Sequence, residues 1–202
     1  LSFLQNLLNQ FLSTPLLEWI AFVFALGQVL LALFNTRFNF VAGIVSVSLY
    51  TWLFYTAGLF AESMLNAYYL GISIWGILYW KGGKSAELKI SKANSMDWLT
   101  TVCIVILAWC CIYYVLVHYT TSTVPLQDAL VASIAWAGTW LLLKRKVENW
   151  IVLNISNCIA IPLQYYKGLE LTALLTVIYV VVAVFGFFSW QKKLQEDITP
   201  KI

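Results

Sequence analysis

Two kinds of side chain in this sequence could handle a small polar solute. The first is a set of amides and hydroxyls inside apolar runs. Glu62, Asn66, Tyr69 and Ser73 follow at intervals of 4, 3 and 4, which places them on one face of a helix. The stretch 110 residues later repeats the spacing with Thr172, Thr176, Tyr179 and Ala183. Asn154 and Asn157 stand about a turn apart in another apolar run, and Gln28 sits in the first. Amides there pair either with a ligand's carboxamide and hydroxyls or with a neighbouring helix. The second kind is aromatic. Trp136 and Trp140, at i and i+4, project from one face, and Trp52, Tyr50 and Tyr69 could complete a box. A ring stacked there would be held, and a cationic ring gains about 2 kcal/mol once water is excluded.

Other chemistry lacks its residues. No Asp, Glu, His or Lys lies near the middle of an apolar run to relay a proton or bind a coupling ion. No Arg or Lys cluster inside the runs could pair with a phosphate. Neither a catalytic dyad, a metal-ligand cluster nor a Gly-rich loop is visible, so no enzyme activity, cofactor, metal or nucleic-acid partner is expected. Cys103, Cys110, Cys111 and Cys158 read as small buried hydrophobes, and His118 as a solvated helix end.

The elements that position these residues are spans. Of 202 residues, 61% are hydrophobic and 10% charged, where soluble chains carry about 25% charge. Seven apolar runs, 16–34, 38–57, 63–80, 98–117, 126–143, 150–166 and 171–190, approach the ~20 residues that cross a ~30 Å hydrocarbon core. Residues 1–15 read as an interfacial amphipathic helix with Leu1, Leu4, Leu8 and Phe11 on one face. Trp19, Trp80, Trp98 and Trp190 read as interfacial anchors. Pro162 frees a backbone carbonyl inside the sixth span.

Seven spans put all the Lys and Arg except Lys167 on the side of the C-terminus. The C-terminus is then expected to be cytoplasmic and the N-terminus outside. The outer ends carry Glu18, Glu62, Asp128 and Glu170 against that one Lys, an acidic mouth suited to a neutral or cationic planar solute.

The chain also answers itself. Shifted by 110, residues 18–80 match residues 128–190 at Asn39, Ser46, Tyr55, Gly58, Leu59, Tyr69, Gly76 and Trp80, among others, well above the roughly five chance identities. Residues 16–80 are thus read as repeat 1 and 118–190 as repeat 2. Between them lie a cytoplasmic loop (81–97) and a linker span (98–117), and a cytoplasmic tail (191–202) follows. A three-span unit reverses direction, so the linker span is needed to bring the second copy back in parallel. Parallel repeats of this kind place a solute near the midplane between the halves.

Tyr50-Thr51-Trp52-Leu53-Phe54-Tyr55, Tyr68-Tyr69 with Gly76 and Trp80, Glu148-Asn149-Trp150 and Lys167-Gly168-Leu169 resemble the bacterial nicotinamide riboside transporters of the PnuC type. The resemblance covers about residues 16–192. It implies an all-α polytopic protein of seven transmembrane helices in a 3+1+3 arrangement like a SWEET transporter, assembled as a homotrimer in the bacterial inner membrane. It also implies facilitated diffusion of the riboside, trapped by a cytoplasmic riboside kinase. Relatives of that family take other vitamins, so thiamine, riboflavin or a sugar stands as the alternative solute.

Overall fold

The computed structural model describes residues 15–36, 38–81 and 89–198, apart from the side chains of 61, 79–81, 171, 197 and 198. Residues 1–14 of the expected amphipathic helix, Arg37, residues 82–88 of the loop and the last four residues lie outside that description.

Among the described residues seven helices follow one another: α1 (Leu16–Leu33), α2 (Phe38–Thr56), α3 (Phe60–Lys81), α4 (Ser95–Tyr119), α5 (Pro125–Leu143), α6 (Asn149–Tyr166) and α7 (Glu170–Ile198). Local chemistry sets their ends. Pro125 occupies the first position of α5, where its missing N–H costs nothing. Asn94 and Asp97 exchange side-chain and backbone hydrogen bonds at the start of α4, a complete capping box. The α2–α3 and α6–α7 turns use Gly58 (φ 74°) and Gly168 (φ 73°), left-handed positions that favour glycine. In both, the N–H of the next residue, Leu59 or Leu169, reaches back five residues, to the carbonyl of Phe54 (2.8 Å) or Gln164 (2.9 Å). Asn35 (φ 59°) and Arg145 (φ 53°) likewise turn α1 into α2 and α5 into α6.

Six helices close a ring, in which α1 packs on α2, α2 on α3, α3 on α5, α5 on α6, α6 on α7, and α7 on α1. Helix α4 stays outside, laid along α5 with a slight contact to α3. The chain before α4 is stapled to the α5–α6 turn. Ser91 N–H donates to Arg145 O (3.1 Å), Val147 N–H to Ser91 O (3.0 Å), and Ala93 N–H to a Glu148 carboxylate oxygen (2.8 Å).

Close approach between ring helices needs glycine at several places, two of them matched at a separation of 110 residues. A Cβ on Gly76 would meet the Phe40 ring at 2.6 Å, and one on Gly186 would meet the Trp150 ring at 2.6 Å. The two contacts join α3 to α2 and α7 to α6.

Among the described residues, five helices (α1, α2, α4, α5 and residues 172–196 of α7) are long and apolar enough to cross a membrane. Helices α3 and α6 carry much of the intervening polarity, including Glu62, Asn66, Asn154, Asn157 and Gln164. Val23, Leu107, Phe185 and Phe188 are among many large apolar side chains exposed on the outside, a surface that hydrocarbon covers better than water.

Two expectations are corrected. Trp190 is no interfacial anchor: it is fully buried, edge-on to Trp150, and its indole N–H donates to Leu33 O (3.2 Å). It closes the α7–α1 contact. The four cysteines are exposed rather than buried, because in this fold an apolar residue is equally at home facing lipid.

Candidate functional site

The ring encloses a cavity of about 240 Å³ lined by residues from all six of its helices and by none from α4. Much of the lining pairs up at a separation of 110 residues: Ala25 with Ala135, Ser46 with Ser156, Asn66 with Thr176, and Tyr69 with Tyr179. The cavity runs from Glu62, Gln164 and Thr172, near the α2–α3 and α6–α7 turns, to Phe40, Leu142 and Trp150 at the opposite end.

Spacing on α3 and α7 translated directly into lining. Glu62, Asn66, Tyr69 and Ser73 all face the cavity, as do Thr172, Thr176, Tyr179 and Ala183. Gln28, Tyr50 and Asn157 join them. The hydrogen bonds hold these groups in place while leaving capacity for a ligand. Asn66 Nδ2 donates to Glu62 O (2.8 Å), and Thr176 Oγ1 donates to Gln164 Oε1 (2.8 Å). Tyr69 pairs with Thr139 across the α3–α5 contact. The aromatic wall consists of Tyr50 stacked on Phe54 (centroids 5.4 Å apart), Tyr69 and Tyr179, with Phe40 and Trp150 at the far end.

Trp136, Trp140, Trp52 and Asn154 do not line this cavity. On α5 the lining stripe is Val131, Ala135, Thr139 and Leu142, one residue behind the tryptophans, and one residue is about 100° of rotation. Trp136 instead stacks on Tyr68 (4.1 Å) between α3 and α5, and the Tyr68 hydroxyl donates to Trp136 O (3.3 Å). Trp140, like Ile104 and Val105, packs against the buried cluster of Ala137, Leu141 and Val152, and lies beneath the Lys144 ammonium (5.8 Å from the ring). Trp52 is 62% exposed on the outside of α2. Asn154 opens onto a separate outward groove between α6 and α7, with its carbonyl oxygen buried and unpartnered.

Sequence reasoning missed Gln164 and Thr139. The 110-residue register held the signal for both, since Gln164 replaces Phe54 and Thr139 replaces Val29, and each swap adds a polar group to a lining position. A further exchange makes the two sides unlike. Gln28 of α1 lies against Gly43 of α2, whereas in the corresponding place Leu153 of α6 lies against Gly138 of α5.

The acidic mouth is also more structured than expected. The Lys167 ammonium, at the C-terminal cap of α6, binds Asp128 Oδ1 (2.7 Å) and Glu62 Oε1 together. Ser122 Oγ donates to the other Asp128 oxygen (2.8 Å). Asp128 is buried, with a side chain only 4% exposed, so it does not reach the interface as a free charge.

Residues 15–192 match the family described as nicotinamide mononucleotide transporter. The nicotinamide riboside transporter PnuC of Neisseria mucosa is 27% identical over 192 residues, covering 87% of this chain and 73% of that protein. The nicotinamide riboside transporter PnuC of Escherichia coli is 22% identical, covering 89% and 88%. A crystal structure described as the vitamin B3 transporter PnuC superposes with a TM-score of 0.75 over 96% of this chain and 88% of the other, at 23% identity, which establishes the shared fold. With a family match across nearly its whole length and a ring of membrane-length helices around a polar-lined cavity, this chain belongs to the nicotinamide mononucleotide transporter family and is a multi-pass membrane transporter rather than an enzyme.

Proposed function

We propose that the chain carries nicotinamide riboside across the bacterial inner membrane, through the six-helix cavity and down its gradient. The observation that carries this reading is the charge of the lining. Among the described residues, the one charged side chain on the cavity wall is a carboxylate, Glu62, and the rest of the polar lining is amide, hydroxyl and phenol. That chemistry suits a pyridinium cation with a carboxamide and a ribose. It does not suit the mononucleotide, whose phosphate would find no cation on the cavity wall, the mouth's Lys167 being already held by two carboxylates. The riboside would therefore cross, and its phosphorylated product, made by a cytoplasmic kinase, would stay.

Gln28, Tyr50, Asn66, Tyr69, Ser73, Asn157, Thr176 and Tyr179 are the proposed contacts, with Gln164 and Thr139 added. The 110-residue register, the matched turns and the paired lining support two parallel three-helix repeats, in which α3 and α6 also cross the bilayer and α4 restores direction. Alternating access would rock one repeat against the other, with the N-terminus outside and three copies assembled in the lipid bilayer.

Equilibrium binding to purified protein tests the solute. The riboside is expected to bind, and nicotinamide mononucleotide to bind at least about a hundredfold more weakly. Preference for thiamine, riboflavin or glucose would replace the substrate. Counterflow in proteoliposomes is expected to run without a proton or sodium gradient, and uptake that appears only with a gradient would overturn the downhill mechanism.

Asn66→Leu and Asn157→Leu are each expected to lose about 1–3 kcal/mol of riboside binding, because a ligand group goes unsatisfied. Asn154→Leu is the control and should leave affinity near wild type. If Asn154→Leu instead costs as much as the other two, the central cavity is not the binding site.

A further inference from the structure

The Glu62–Lys167–Asp128 triad joins three helices at the cavity mouth, and its charges do not balance. Two carboxylates share one ammonium, leaving one negative charge. The two acids are not equivalent. Asp128 is almost fully buried, with one oxygen on Lys167 and the other accepting from Ser122 Oγ (2.8 Å). Glu62 is more exposed, lines the cavity, and holds Lys167 through Oε1. Asp128 therefore keeps the ammonium, and Glu62 is the partner that can let go. The corresponding positions in the other half are Thr172, Ala57 and Glu18, which cannot build the same cluster. The arrangement belongs to one side of the mouth.

The geometry points to Glu62 as the residue that selects for a cationic solute, with Lys167 as a tethered cation that the solute displaces. An incoming pyridinium takes the place of the ammonium beside Glu62, and Lys167 stays on Asp128. The exchange replaces one ion pair with another, so Glu62 is never left bare as the solute passes. A neutral solute of the same shape offers no replacement and must pass with the original pair intact. Displacement also releases α3 from the α6 end at the mouth, because Lys167 is the link between them there. This deepens the cationic-riboside reading and rests on it.

Binding of nicotinamide riboside and of its neutral isostere benzamide riboside, titrated by calorimetry against wild type and two variants, tests the idea. Glu62→Gln is expected to weaken the cation about tenfold while the isostere stays within about twofold. The double variant Asp128→Asn/Lys167→Gln removes the competitor without stranding a buried charge. It is expected to bind the cation several-fold more tightly than wild type and the isostere unchanged. The opposite directions separate recognition from misfolding, which would weaken both ligands in both variants. Equal losses of cation and isostere in Glu62→Gln, or no gain for the cation in the double variant, would overturn the inference while leaving the transport reading intact. Failure of the wild type to bind either riboside would overturn both.

Discussion

Lys167→Met is expected to cost about 3–5 kcal/mol of folding stability, the scale of breaking a buried ion pair from one side. Asp128 is the reason. Its carboxylate is 4% exposed and loses its only ion partner among the described residues, keeping one hydroxyl hydrogen bond from Ser122. Glu62, more exposed and beside the cavity, can rehydrate and contributes less to the loss. Thermal melting in detergent, with Asp128→Asn/Lys167→Met alongside, measures it. The double variant should recover much of the difference, since the stranded charge is gone. An unchanged melting temperature in the single variant would mean that water already reaches the Asp128 carboxylate.

Gly186→Ala is expected to cost about 3 kcal/mol, the upper end of overpacking penalties. The new Cβ would fall 2.6 Å from the Trp150 ring. That ring cannot swing aside, because Trp190 stands edge-on at 5.6 Å and is itself fully buried. The helices must separate instead, and the far end of the cavity, which Trp150 and Ala183 line, separates with them. Gly27→Ala and Gly71→Ala provide the comparison. Nothing stands within 4 Å of a Cβ at either, so these helix-interior changes should be neutral or gain up to about 1 kcal/mol. Denaturation of the four proteins in one detergent decides whether the close approach is what matters. Equal behaviour of Gly186→Ala and Gly71→Ala would show that the α6–α7 contact yields freely.

The helices were legible because apolar runs of membrane length alternate with short polar turns, and Gly58 and Gly168 mark two of those turns directly. The cavity face of α3 was legible too, since four polar residues at spacings of 4, 3 and 4 leave one rotation that buries them together. On α5 the same reasoning stopped short. The i, i+4 spacing does put Trp136 and Trp140 on one face, but the cavity face is set by which residues are small enough for α6 to approach, and Gly138, Ala135 and Thr139 decide that. Helix α6 shows a related limit. Asn154 and Asn157 are only about 60° apart, yet the edge of the cavity falls between them. The ion triad lay beyond sequence reasoning because Lys167 meets a residue 105 positions away, a contact fixed only by closure of the ring.

The outward cysteines make this chain a convenient subject for thiol mapping. Cys103, Cys110 and Cys111 lie on α4 and Cys158 on α6, all exposed and none on the cavity wall. A thiol covered by hydrocarbon is shielded from a water-soluble reagent and reacts slowly with it. The native background should therefore be low without removing any of the four. Single cysteines placed at Thr139, Asn157 or Gln164 would then report, by their labelling rates from either side of the bilayer, which part of the path is wet and when a bound solute shields it.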